Sequence, residues 1–170
     1  MTTSTKILAK ATIASEQSDS IVVSFGAEWH NHLIADPFSL VIRKRVPRDS
    51  AYKYMYIYIN SPIASICARA EIRSIRHIES KVAINRTDEI KLSPTAIASY
   101  IGTADTIGCY ELEKIEVATV PINASVINTR MIFHPPQSFF TLSHAGKRTL
   151  EDLAKFATSI GSRSMKVRRK

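Results

Sequence analysis

With 170 residues, 18.9 kDa and 45% hydrophobic content, the chain is long enough for one well-buried core and short for two. A formal net charge of +8 and a pI near 9.7 suit an anionic partner, and no apolar run approaches the ~18 residues of a membrane-spanning helix, so nucleic acid is the expected partner and a membrane is not. The two cysteines, Cys67 and Cys109, have no CxxC spacing, which argues against a disulfide scaffold or a zinc site and for a reducing, cytoplasmic setting; no metal and no cofactor are expected.

Residues 1–19 are Thr/Ser-rich, free of acids until Glu16 and interrupted by Lys6 and Lys10, which predicts a flexible arm rather than a targeting peptide. Residues 21–25 (IVVSF) are β-branched and apolar and read as a buried strand ended by Gly26. Trp29, Leu33 and Ile34 follow near helical spacing in residues 27–35, and the Asp36-Pro37 pair stops that helix. Residues 38–44 and 53–59 are the next strands, joined by a loop containing Pro47. In the second of them Tyr54, Tyr56 and Tyr58 leave one face and Met55, Ile57 and Ile59 the other.

Asn60, Ser61 and Pro62 make a turn. Beyond it Ile66, Ala68, Ala70 and Ile72 alternate with Cys67, Arg69, Glu71 and Arg73, a half-buried strand with one charged face. Ser93 is an N-cap before Pro94 and opens a short helix closed by Gly102. Residues 110–120 read as a strand. Residues 149–160 read as an amphipathic helix with Leu150, Leu153, Phe156 and Ala157 inward, ended by Gly161. Residues 20–160 are therefore expected to form one mixed α+β domain, a small barrel with short helices covering it, and residues 161–170 a basic tail. The sequence carries no signal of oligomeric state.

The charge is local. Arg43, Lys44, Arg45, Arg48 and Lys53 stand against Asp49, and Arg163, Lys166, Arg168, Arg169 and Lys170 against no acid. These two segments carry +4 and +5 of a total of +8, leaving −1 for the rest. Cations beside aromatic faces suit a polyanion with stacking bases. The tyrosine stripe has two readings: rings packed under a helix with hydroxyls at the rim, or, at Tyr56 and Tyr58, platforms for a base.

Candidates for acid-base chemistry are few. Glu71, flanked by Arg69 and Arg73, reads as a general base or as one half of a cross-strand ion pair; His134, just before PPQSF, reads as an acid, a phosphate ligand or an ordinary loop residue. His30 and His32, two apart on a helix, do not share a face and make a poor metal pair.

The succession IVVSF, a short helix, a strand ending in RKR-P-R, YIYINSP and ICARAEI resembles the ASCH domain of the PUA-like superfamily. The second half agrees, with a helix ending in YIG, a strand around CYELEKI, a stretch opening at Pro121 and Ile122, and HPPQSFFTLS. The resemblance covers residues 21–143. It implies a PUA-like pseudo-β-barrel with a cleft facing RNA or a modified nucleotide; some relatives are coactivator-like, and a few are hydrolases, ribonucleases or acetylcytidine amidohydrolases. The hydrolases share a GxKxxT loop leading into a strand with an ExR signature. Here Phe38 stands where the lysine would be and Val41 where the acid would be, while Arg43 is retained; no lysine lies between Lys10 and Lys44.

The expectation is therefore a nucleic-acid-binding module, for RNA in preference to DNA, without catalysis, the alternative being a hydrolase acting on RNA or a modified nucleoside. Arg43, Lys44, Arg45 and Arg48 would hold phosphates above a pocket for an unstacked base, with Ser61, Arg69 and Gln137 reading its edge and Lys166, Arg168, Arg169 and Lys170 adding non-specific affinity.

Overall fold

The computed structural model describes residues 17–48 and 51–154. In chain order the elements are β1 (Gln17–Phe25), α1 (Trp29–Ala35), β2 (Leu40–Arg43), β3 (Tyr54–Ile59), β4 (Ser65–Glu79), α2 (Ser80–Ile84), α3 (Thr87–Ile90), α4 (Pro94–Ile101), β5 (Thr106–Asn123), α5 (Ala124–Ile127), β6 (Phe139–Ser143) and α6 (His144–Leu153). The six strands form one mixed sheet in the order β2-β5-β4-β3-β1-β6. Within it β1 and β3 run parallel and the other neighbours antiparallel.

Alternation along the strands distributes the apolar residues over three clusters. The inner one joins Ile21, Val23 and Phe25 of β1 to Val41 of β2, to Met55, Ile57 and Ile59 of β3, and to Tyr110 and Leu112 of β5. A flat sheet would hold β1 and β2 four strands apart, so a core shared between them requires the sheet to curl into a pseudo-barrel. Two contacts tie the edges of the curl: Arg43 Nη2 donates to Ser24 O at 3.1 Å, and Ser138 Oγ to Arg45 O at 3.4 Å. On one outer face Tyr56, Tyr58, Val22 and Ile66 pack beneath α6 with Leu150 and Phe133. On the other, Leu40 and Ile42 lie beneath α2, α3 and α4 with Ile90, Ile97 and Ile101.

Local chemistry explains most boundaries. The Ser93 hydroxyl accepts from Ala96 N, Pro94 occupies the first turn of α4, and Gly102 closes that helix at a φ of +69°. α1 ends at Asp36, whose N–H donates to His32 O before Pro37.

Four expectations need correction. Strict alternation from Ile66 fails because Cys67 is an extra residue: Ile57 pairs with Ala68 but Tyr58 with Ile66. This bulge turns Ile66 to the outer cluster while Ala68 and Ala70 stay inside. β4 also continues to Glu79, past the charged stretch that marked it. Residues 17–19 belong to β1 rather than to an arm, with Ser18 Oγ donating to Leu142 O at 2.8 Å. The last helix begins at His144, because the Ser143 hydroxyl caps it by accepting from Gly146 N, and ends at Leu153, with Ala154 extended. Phe156, Ala157 and Gly161 lie outside the described residues.

The helical insert between β4 and β5 is held by one carboxylate. Glu111 of β5 accepts from Arg76 at 2.6 Å, from Ser74 at 2.7 Å and from Arg86 at 3.3 Å, and Arg86 in turn pairs with Glu89 of α3. The Arg76 bond, then those of Ser74 and Arg86, hold the Glu111 carboxyl at about 2, below the ordinary 4.5. A carboxyl depressed in the folded state contributes stability above its unfolded value and loses it as pH falls through the folded one. Glu111→Gln is therefore expected to lower the urea midpoint at pH 7, with the gap to the unsubstituted protein narrowing as pH falls from about 4.5 toward about 2. A gap independent of pH contradicts this assignment.

Candidate nucleic-acid interface

Parity along β2 decides what Arg43 can do. Leu40 and Ile42 face the helical insert, so Val41 and Arg43 face the barrel interior. The Arg43 guanidinium sits 4.4 Å from the centre of the Phe25 ring, Nη1 donating to Ile42 O at 2.9 Å and Nη2 to Ser24 O. Desolvation lowers its pKa, while Tyr100 and Tyr110 act in the opposite sense. It remains a cation at any working pH. Nearby, the hydroxyls of Ser24 and Tyr110 are buried without hydrogen-bond partners among the described residues, and burial raises the Tyr110 pKa.

Beside Arg43 lies an aromatic cavity of about 270 Å³ walled by Phe25, Trp29 and Phe38, with Glu28 and Tyr100 also on its lining. Phe25 stacks on Phe38 at 5.3 Å and 20°, and Trp29 meets Phe38 edge-on at 5.4 Å and 89°. The turn at Gly26, where Trp29 N donates to Gly26 O at 3.1 Å, swings α1 back so that its first residue covers the end of β1. Phe38 is anchored through its neighbour: Ser39 N donates to Glu89 O at 2.9 Å and Ser39 O accepts from Leu112 N at 2.8 Å.

A second cavity, of about 350 Å³, is lined by Arg43, Lys44, Arg45, Tyr100, Gln137 and Ser138. Lys44 and Arg45 are exposed, and Lys44 Nζ lies 5.6 Å from the centre of the Tyr100 ring. The two cavities share Arg43 and Tyr100, so an aromatic chamber opens beside a basic one.

No protein-family model and no curated protein sequence matches the chain. Among solved structures, the ASCH protein from Zymomonas mobilis superposes with a TM-score of 0.72 at 22% identity, over 81% of this chain and 97% of that one. A single-site mutant of the same protein gives a TM-score of 0.73 at 20% identity, over 82% and 99%. The chain has an ASCH-domain fold. The N-terminal domain of Staphylothermus marinus McrB shares the ASCH layout more loosely, with a TM-score of 0.54 at 9% identity over 80% of this chain and 94% of that one.

Within this ASCH fold the expected site residues divide. Lys44, Arg45 and Gln137 come together around the basic cavity. Arg43 reaches the same place as a half-buried tie between β2 and β1, not as a solvated strand-end cation. Arg48 is exposed in the loop after β2 and Ser61 in the turn after β3, and neither lines either cavity. Tyr56 and Tyr58 are only 0% and 3% exposed and offer no ring face to a base. They are buried because β3 is central and α6 covers its outer face. Tyr56 OH donates to Glu151 at 3.4 Å.

Arg69 is committed to Glu116 at 2.6 Å and Glu151 at 3.7 Å on that same outer side, which removes it from the base edge. Glu71 pairs with Lys114 at 3.2 Å rather than with Arg69 or Arg73, and Arg73 turns to Glu113. Glu71 is thus one half of a cross-strand ion pair and not a pocketed base. His134 is exposed beside Pro135 and lines neither of the two cavities. Lys166, Arg168, Arg169 and Lys170 lie outside the described residues. Phe38 and Val41, where the hydrolases of this fold were expected to carry lysine and an acid, are 1% and 4% exposed.

The sequence reading missed the aromatic chamber. Trp29 reads there as a helix-face residue and Phe38 as the start of a strand and the place of the hydrolase lysine implied by the resemblance, yet their signal is present in three aromatics bracketing the Gly26 turn and the Asp36-Pro37 stop. Arg43→Ala removes two charge-assisted bonds to backbone carbonyls and a cation–π contact, and is expected to destabilise the fold by about 2–4 kcal/mol in urea unfolding. Arg45→Ala, exposed, is expected to stay within about 0.5 kcal/mol of the unsubstituted protein. Equal stabilities for the two variants contradict the structural role of Arg43.

Proposed function

We propose that this protein is a nucleic-acid-binding module that receives one unstacked base in the aromatic chamber and its flanking phosphates on Lys44 and Arg45. RNA or a modified nucleotide is the ligand class, as the resemblance to ASCH domains suggests. The observation that carries the reading is the wall of Arg43 and Tyr100 common to the aromatic and basic cavities, which sets a stacking subsite and a phosphate subsite next to each other. At about 270 Å³ the chamber lies just under the ~300 Å³ lower bound of drug-sized sites, a volume for one base rather than two. Phe25 and Phe38 are as buried as the tyrosines of β3, so the ring faces left to a base are those of the half-buried Trp29 and Tyr100; stacking on one such face is worth about 1–3 kcal/mol per base.

Electrostatics support the same edge. Along β4 and β5 the cations Arg69, Arg73, Arg76 and Lys114 are matched by Glu116, Glu113, Glu111 and Glu71. Lys44, Arg45 and Arg48 have no acidic partner among the described residues. Their field is therefore uncompensated where a phosphate would approach. The cations of residues 161–170 would add a sequence-independent term.

Binding without turnover fits the chamber's chemistry. Recognition needs stacking and edge hydrogen bonds, whereas hydrolysis also needs a group of matched pKa at the reacting atom, and where the resemblance would put the hydrolase lysine and acid this chain has Phe38 and Val41, both buried. The test is fluorescence anisotropy with a short single-stranded RNA across a salt series. Lys44→Ala with Arg45→Ala should weaken binding for all sequences and flatten the logarithmic salt slope by about 0.7 for each phosphate that is no longer neutralised. An unchanged slope removes this edge from the interface.

A further inference from the structure

We infer that the base received by the chamber is guanine, held between Arg43 and Glu28; this rests on the base-binding reading above. The polar groups on the chamber's lining are one acceptor-only group, the Glu28 carboxylate, one donor-only group, the Arg43 guanidinium, and the Tyr100 hydroxyl. Glu28 is exposed at the turn after β1 and has no hydrogen-bond or ion-pair partner among the described residues. Its carboxylate lies against the Cα of Gly26, where any Cβ would collide with both carboxylate oxygens. Gly26 thus leaves the space in which that carboxylate stands. Arg43 commits one N–H of Nη1 and one of Nη2 to backbone carbonyls and a further one faces the Tyr100 hydroxyl, so a ligand would share that side of the guanidinium with Tyr100.

A ligand that satisfies both groups must be flat, present acceptors toward Arg43 and present donors toward Glu28. Guanine offers O6 and N7 to a guanidinium, and on the adjoining edge N1–H and N2–H₂ stand side by side as a matched pair for a carboxylate. Adenine turns its N1 lone pair toward the carboxylate and offers only the N6 amino group. Uracil has a single imino donor between two carbonyls, each of which repels a carboxylate. Cytosine is the nearest competitor, giving its N4 amino group to Glu28 and its O2 to Arg43, with one fewer donor on the acidic side. Hypoxanthine lacks the 2-amino group and so loses one of guanine's two bonds to Glu28.

Trp29 is the only tryptophan of the chain and walls the chamber, so its fluorescence reports occupancy directly. The full chain and its Glu28→Gln variant are titrated with GMP, IMP, AMP, CMP and UMP. GMP is expected to bind more tightly than the other four by about tenfold or more. Glu28→Gln is expected to lower GMP affinity to that of CMP while leaving CMP binding little changed, because an amide opposes one of guanine's two donors with a donor of its own. GMP binding no tighter than CMP, or a guanine preference that survives Glu28→Gln, overturns the assignment of guanine and leaves nucleotide binding standing. Silence of Trp29 toward all five nucleotides overturns the base-binding reading itself.

Discussion

Arg43 alternates with Ile42 along β2, and because Ile42 is claimed by the helical insert, the guanidinium has to project into the barrel. A cation there is tolerable only if acceptors surround it. It finds them in the carbonyls of Ser24 and Ile42 and in the face of Phe25. Ser24 and Phe25 belong to β1, at the far side of the sheet order from β2, so satisfying this charge and curling the sheet are one event. The same geometry places Phe25 where Trp29 and Phe38 can pack against it, and the aromatic chamber follows from that contact. The basic cavity follows too, since Lys44 and Arg45 come directly after Arg43, where β2 ends and the chain turns outward.

Sequence patterning was legible wherever period and punctuation agreed. The β-branched run of β1, the tyrosine stripe of β3, the Asp36-Pro37 stop and the Ser93-Pro94 to Gly102 helix all appear as read. Elements too short to show a period were not legible: α2, α3 and α5 span four or five residues and are set by the strands they connect. The bulge at Cys67 was invisible for a related reason. Alternation alone does not reveal that one residue has been skipped, and only pairing with Tyr58 and Ile57 shows it.

Site residues were harder to read because charge and aromaticity mark a residue without saying which way it points. Tyr56 and Tyr58 are attractive stacking platforms on an exposed strand and structural residues on a central one; α6, whose start depends on the Ser143 cap, decides between the two. Arg69 and Glu71 sit on a charged strand face that β5 mirrors with Glu116 and Lys114, so each cation there meets its acid. Lys44 and Arg45 escape that neutralisation because they lie past the end of β2, outside the strand pairing, and meet no acid among the described residues. The sequence marked Phe38 as a position where the resemblance implies a lysine in the hydrolases. That Phe38 is part of an aromatic wall was visible only from its packing between Phe25 and Trp29.

The central claim is that the ligand enters at the Gly26 and β2 end of the barrel, not across the tyrosine face. Amide and indole chemical shifts recorded while a short single-stranded RNA is added test it most directly. The account predicts that the Trp29 indole N–H moves together with the amides of Lys44, Arg45 and Gln137, while Tyr56, Arg69 and Glu116 stay in place. Shifts concentrated on the β4–β5 ion-pair face, with Trp29 unmoved, contradict it.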